Sequence, residues 1–247
     1  MQLVPFAGQA WQELHLSQGH LTFQMLTVLS LLAHVGIVNG TEAKPHSRPY
    51  MVSIQISEQH ICGGFLISDE FVLTAAHCWN GSQILTVVVG AHDLRERKTL
   101  NRIGVKKYIP HPDYKIRPVR NDIMLLRLQK KVKLNNVKWI LFVAGWGKLW
   151  TDGPRSSLLM EADVYIIDNR ECFKKWGEIY SVSQMMCTHG SGGFCYGDSG
   201  GPLVCGDTAV GVVSFCYLNL CNSPVYPNVY TKISAYLPWI KKIIRKI

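Results

Sequence analysis

An all-β fold of antiparallel sheets or barrels is predicted by three features of the chain. Short runs rich in β-branched residues recur from Ile37 onward, at 51–56, 71–75, 85–90, 122–128, 162–167, 202–205 and 209–215. Twenty-one glycines and eleven prolines among 247 residues supply the turns between them. One segment, 233–247, carries a helical stripe: Trp239, Ile240, Ile243 and Ile244, with Pro238 near the start, where proline is tolerated. A basic, turn-rich connector at 130–138 separates two halves of similar size.

Composition narrows the class. With 47% hydrophobic and 17% charged residues the chain is neither disordered nor collagen-like. No run of about 18 apolar residues occurs within 37–247, so that part is not expected to span a membrane by a helix. Twenty-six Lys and Arg against 17 acids give a net charge of +9. Such a surface favours polyanions (sulfated glycans, acidic membranes, nucleic acid) or simply keeps the protein soluble. The segment 241–246 reads as a helix end with an exposed cationic face.

The first 43 residues contain no Lys or Arg. Residues 21–33 form an apolar run suited to a secretory leader, with Ala33 and Gly36 as small residues beyond it. A start at Met25 would give a leader of more ordinary form, with a signal segment near 25–34 and a short propeptide to Gly36. Eight cysteines, none in a CxxC pair, point to disulfides and an oxidising compartment rather than to zinc or redox chemistry. Sequons at Asn39 and Asn80 agree with secretion.

Three segments carry chemistry. Thr74-Ala75-Ala76-His77-Cys78 places an imidazole after a strand. Asn121-Asp122-Ile123-Met124 places a carboxylate at the mouth of an apolar strand, and Gly197-Asp198-Ser199-Gly200-Gly201-Pro202 places a hydroxyl in a glycine-rich turn. Together with Ile37-Val38-Asn39-Gly40, Gly145-Trp146-Gly147 and Ser214-Phe215, they resemble the trypsin/chymotrypsin family of serine proteases, and within it the granule proteases of leukocytes.

The resemblance implies two antiparallel six-stranded Greek-key barrels with a C-terminal helix. The barrels would span about 37–138 and 139–247, after a leader at 1–36. It assigns His77, Asp122 and Ser199 as the catalytic triad, and the N–H groups of Gly197 and Ser199 as the oxyanion hole. Ile37 and Asp198 become the activation pair. Gly193, Phe194, Tyr196, Ser214, Phe215, Cys216 and Asn228 become the substrate-binding residues. Gly193 stands six positions before the nucleophile, where an acid would select Lys or Arg. Bulk at Phe194, Cys216 and Asn228 is expected to leave a shallow pocket for small aliphatic side chains. The implied disulfides are Cys62–Cys78, Cys172–Cys187 and Cys195–Cys221.

The chain departs from the family's pattern before Gly145, where 139–143 run straight into the Gly-Trp-Gly turn and the usual partner of Cys205 is missing along with part of the linker. With Cys205 opposite about residue 210, Cys216 would lie over ~15 Å away, beyond the ~7 Å Cα reach of a disulfide, so both cysteines are expected to be free or mispaired. No metal or organic cofactor is implied. The implied partners are protein or peptide substrates, sulfated proteoglycan and a serpin-type inhibitor, with no specific nucleic acid. A monomer, secreted or stored in granules, is expected. The alternative is a catalytically silent cationic granule protein that binds polyanions or microbial surfaces. Family members of that kind have lost a triad residue, whereas all three are present here.

Overall fold

The computed structural model describes residues 37–98, 100–132, 142–206, 208–218 and 220–245. The expected leader at 1–36 and most of the connector, with the missing-linker region before Phe142, lie outside them.

The N-terminal half contributes β1 (Thr41–Glu42), β2 (Met51–Ile56), β3 (Gln59–Leu66), β4 (Phe71–Thr74), β5 (Thr86–Val89), β6 (Asn101–Pro110), β7 (Lys115–Ile116), β8 (Val119–Arg120) and β9 (Met124–Leu128). Six of these close into an antiparallel barrel in the order β2-β3-β4-β9-β6-β5. Closure leaves no unpaired edge. The short pair β7–β8 stands apart as a hairpin.

The C-terminal half contributes β10 (Phe142–Gly145), β11 (Met160–Ala162), β12 (Tyr165–Ile166), β13 (Met185–His189), β14 (Pro202–Cys205), β15 (Thr208–Phe215) and β16 (Asn228–Lys232). With β1 they form an eight-stranded sheet, β1-β11-β10-β14-β15-β16-β13-β12. Its six inner strands are the expected second set, flanked by the two-residue strands β1 and β12. Thus the segment after Ile37 crosses to the second sheet, pairing Thr41 with Glu161.

The predicted strand runs coincide with β2, β4, β5, β9, β14 and β15, and the run at 162–167 contains β12. Strand β3 was not predicted, because Gly63 and Gly64 weaken the β pattern. Close approach explains Gly63: a Cβ there would lie 3.2 Å from the backbone of Gly201, so β3 can abut the Ser199 turn. Helix α1 (Asn169–Trp176) was also not predicted. Asp168 caps it by accepting from Arg170 N–H at 2.7 Å, but within it only Cys172 is buried, so no apolar stripe announces it.

The C-terminal helix forms as expected, as α2 (Leu237–Arg245) after a 3₁₀ turn at Ile233–Tyr236. Ile240 is buried in the apolar cluster that holds most of the first barrel's core together with Phe142, Val204 and Val212 of the second sheet, and Trp239, Ile243 and Ile244 pack against it. Lys241, Lys242 and Arg245 face solvent. Hydrophobic free energy thus holds the end of the second half against the first.

Strand β9 separates burial from surface charge. Leu125 is fully buried, whereas Arg127 pairs with Glu70 at 3.1 Å near the surface. Leu125→Ala is expected to cost about 2–5 kcal/mol and Arg127→Ala under about 1 kcal/mol, measured by urea unfolding. Equal costs would contradict this placement.

Candidate active site

The imidazole of His77 sits on a 3₁₀ turn, Ala76–Cys78, that follows β4. The Cys62–Cys78 disulfide ties this turn to β3. Opposite it lies Asp122, 1% exposed. Asp122 Oδ1 accepts from the His77 backbone N–H at 3.0 Å, and Oδ2 pairs with His77 Nδ1 at 2.8 Å. Ser214 Oγ donates to the same Oδ2 at 2.5 Å, and Thr231 Oγ1 donates to the Asp122 carbonyl at 2.9 Å. Asn121, which flanks the carboxylate in its motif, was given no role from the sequence; it is held at φ 52°, and its Oδ1 accepts from Gln184 and from the Tyr236 hydroxyl.

Ser199 lies in the turn between Cys195 and Gly201. Gly63 N–H donates to the Ser199 carbonyl at 2.8 Å, and Gly200 N–H to Val213 O at 2.8 Å. Gly200 has φ +83°, and a Cβ there would overlap Thr74 Oγ1, so only glycine lets the turn dock this closely. The Ser199 side chain is half-buried. Among the described residues its hydroxyl has no protein partner, and the Gly197 and Ser199 N–H groups donate to no protein acceptor. Unpaired backbone donors in a serine-bearing turn are groups able to bind an oxyanion.

The electrostatics are coupled. Burial lowers the His77 pKa, but the charge and hydrogen bond of Asp122 outweigh it, so the ring titrates above its ordinary 6.5. For Asp122, burial pushes upward, and the His77 charge with hydrogen bonds from His77 and Ser214 brings it below 3.8. Asp198 differs. Fully buried, it is pushed up to about 7 by desolvation, which outweighs the bonds from Cys195 N–H at 2.9 Å and Gly147 N–H at 2.7 Å and the charge of Arg155; among the described residues no cation lies within ion-pair distance of it.

Ile37 is buried with Val143, Met160 and Phe194, and no hydrogen bond joins it to Asp198. Its φ of 49° is a strained value for a β-branched residue. Gly193 N–H donates to Val38 O at 3.1 Å, which docks this segment beside the expected pocket floor. A Cβ at Gly193 would overlap Asn228 Oδ1, so the buried amide of Asn228 fills the space above the glycine.

Two expected pocket residues make other contacts. The Phe194 ring, 2% exposed, packs edge-on to Tyr230 in the core instead of standing in a pocket wall, because burial there removes more apolar surface from water. The Ser214 hydroxyl serves Asp122. Phe215 and Cys216 line a cavity of about 570 Å³ with Tyr217, Trp176 and Ile116, while Tyr196 is 40% exposed.

The disulfides Cys62–Cys78, Cys172–Cys187 and Cys195–Cys221 are present, and Cys205 and Cys216 are free. Cys205 pairs with Thr208 across a tight hairpin rather than with residue 210, which sets Cys216 still farther off. Cys62, His77 and Cys78 lie close enough to hold a metal, but their sulfurs are bonded to each other and the ring is engaged by Asp122, so the set does not fit one.

The family model for trypsin matches residues 37–240. The chain belongs to the trypsin family. It is a serine endopeptidase. It is similar to granzyme B(G,H) of Mus musculus, 42% identical over 90% of this chain and 97% of that one. Granzyme B of Rattus norvegicus is 41% identical, over 85% and 92%. Among solved structures, neuropsin, a serine protease expressed in the limbic system of mouse brain, matches with a TM-score of 0.78 and 33% identity, over 84% of this chain and all of that one.

The Asp122 contacts make a testable claim about His77. In Asp122→Asn the upward pull disappears while burial remains, so His77 is expected to titrate below about 6.5, followed by NMR of its ring carbon. A ring still titrating above that value would show that the carboxylate is not the cause.

Proposed function

We propose that this trypsin-family protease, once its chain begins at Ile37, hydrolyses peptide bonds through His77, Asp122 and Ser199 by way of an acyl-enzyme. A serine hydroxyl is a weak nucleophile, so His77 takes its proton during attack on the carbonyl and returns it to the departing amine. Asp122 fixes the tautomer that leaves Nε2 free and stabilises the ring when charged. The N–H groups of Gly197 and Ser199 bind the oxyanion, each contributing about 3–4 kcal/mol at the transition state. The observation that carries this reading is the His77–Asp122 bond of 2.8 Å on a turn whose next residue, Cys78, has its sulfur 3.7 Å from the Ser199 carbonyl. A fluorophosphonate probe is expected to label the processed protein and not Ser199→Ala. Absence of label on a folded, processed chain would favour the silent polyanion-binding alternative.

Small aliphatic residues, Ala, Val or Ile, occupy the pocket. Asn228 fills its floor, and Cys216 stands where the family's open pockets carry glycine. Cys216→Gly is expected to raise kcat/KM for Met or Phe before the cut, relative to Ala, by roughly tenfold or more, read on matched peptides. An unchanged ratio would place the limit elsewhere. The net charge suits storage on sulfated proteoglycan in a secretory granule, with a serpin-type inhibitor and a monomeric enzyme.

Activation follows from Asp198. Cleavage after Gly36 abolishes the strained Ile37 torsion and frees an α-ammonium able to pair with the buried carboxylate. Before cleavage, Asp198 holds its proton more tightly folded than unfolded, because its pKa rises from 3.8 to about 7. Its contribution to stability is therefore present at low pH and lost as pH climbs from about 4 through about 7. Unprocessed Ser199→Ala protein is expected to lose more Tm between pH 5 and pH 8 than the processed form. Identical pH profiles would remove Asp198 from the switch.

A further inference from the structure

A chain of polar side chains runs from the surface of the first barrel to the Gly197 peptide. On β2, Val52 and Ile54 join the apolar core, whereas Ser53 and Gln55, on the other face, are as deeply buried and polar. Burying such groups is costly unless each finds a partner. Arg102, on β6, supplies the first bond by donating from Nη1 to Gln55 Oε1. Gln55 Nε2 donates to Ser53 Oγ at 3.0 Å, and Ser53 Oγ meets His60 Nδ1 at 2.8 Å. His60 Nε2 lies 2.9 Å from Gly197 O.

The first bond dictates the direction of the others. A guanidinium can only donate, so Gln55 turns Oε1 towards it and Nε2 towards Ser53. The Ser53 hydroxyl accepts from Gln55 and points its one hydrogen at His60 Nδ1. Burial lowers the His60 pKa to about 4, so near neutral pH the ring carries a single N–H. That N–H sits on Nε2 and donates to Gly197 O. Reversing the inner bonds would satisfy Gln55, Ser53 and Nδ1 equally, but it sets a bare Nε2 against a carbonyl oxygen.

The held peptide joins Gly197 to Asp198, between the two N–H groups assigned to the oxyanion, so its orientation sets the angle between them. Its oxygen is gripped by His60, and its N–H donates to Cys195 O at 3.0 Å. Gly197 stands at φ +103°, in a region glycine crosses freely, so these bonds rather than a side chain fix it.

We propose that Arg102, acting through Gln55, Ser53 and His60, is a positioning residue for the oxyanion donors. It selects the His60 tautomer that grips the Gly197 carbonyl. This inference rests on the catalytic reading above.

The test inverts the chain's polarity without removing a link. In Gln55→Glu the carboxylate still accepts from Arg102 but now accepts from Ser53 as well, so the His60 proton is expected on Nδ1. Arg102→Glu, an acceptor in place of a donor, is expected to do the same by turning the Gln55 amide. Arg102→Lys still only donates and is expected to keep the parent tautomer. Nitrogen NMR of the labelled His60 ring in the processed protein, assigned by its loss in His60→Gln, reads the tautomer. On the best-cleaved member of a neutral peptide pool, both inverting variants are expected to lose kcat roughly tenfold with KM within about twofold. Arg102→Lys is expected to stay within about twofold of the parent in both. Arg102→Glu, at a partly exposed position, keeps the test open if Gln55→Glu fails to fold. A parent ring protonated on Nδ1 overturns the inference before any variant is made. An inverted tautomer with unchanged kcat, an unmoved tautomer in a folded inverting variant, or a loss confined to KM overturns it alone. No hydrolysis and no fluorophosphonate label on the parent overturns it together with the catalytic reading.

Discussion

A buried carboxylate that must be satisfied organises this molecule. Asp122 is almost wholly removed from water, so its charge persists only because donors from separate stretches converge on it. His77, on the first barrel, supplies two of them. Ser214, on β15 of the second sheet, supplies another, and Thr231, on β16, anchors the same residue by its carbonyl. The two sheets cannot separate without stranding this charge. The apolar contacts of Ile240 with the first core act in the same direction, but without directional preference. Packing brings the halves together, and the carboxylate fixes their alignment.

Ser199 is placed by absence as much as by contact. Gly63, Gly200 and Gly201 let β3 and the Ser199 turn approach backbone to backbone, and Gly145 and Gly147 leave room for the Asp198 carboxyl. Asp198 and Asp122 are both buried yet opposite in character. The carboxylate that meets a histidine stays charged, and the one bonded by two amides, with the Arg155 charge not in contact, holds its proton more tightly.

Much of this was legible in the sequence. Strands with continuous or alternating apolar residues, such as β2 and β9, declare themselves because one or both faces are covered. The site was legible through three short motifs whose residue types have few other reasons to coincide. What stayed hidden depends on tertiary context. Gly63 and Gly64 argue against a strand unless the neighbouring turn is known. Helix α1 is held by a cap and a disulfide rather than by an apolar stripe. The Phe194 ring could have filled a pocket or a core, and only the position of Tyr230 decides between them. Asn121 reaches partners at Gln184 and Tyr236 that no local pattern brings near.

The link from Tyr236 to Asn121 bears on biosynthesis. A ribosome releases the imidazole and the carboxylate early, but Ser214, Thr231 and Tyr236, which hold that carboxylate and its neighbour, emerge among the later stretches of polypeptide. A nascent chain arrested before them carries the first barrel's strands without the geometry of a working site. Topology alone thus delays completion of this bonding network until the chain has been made beyond Tyr236.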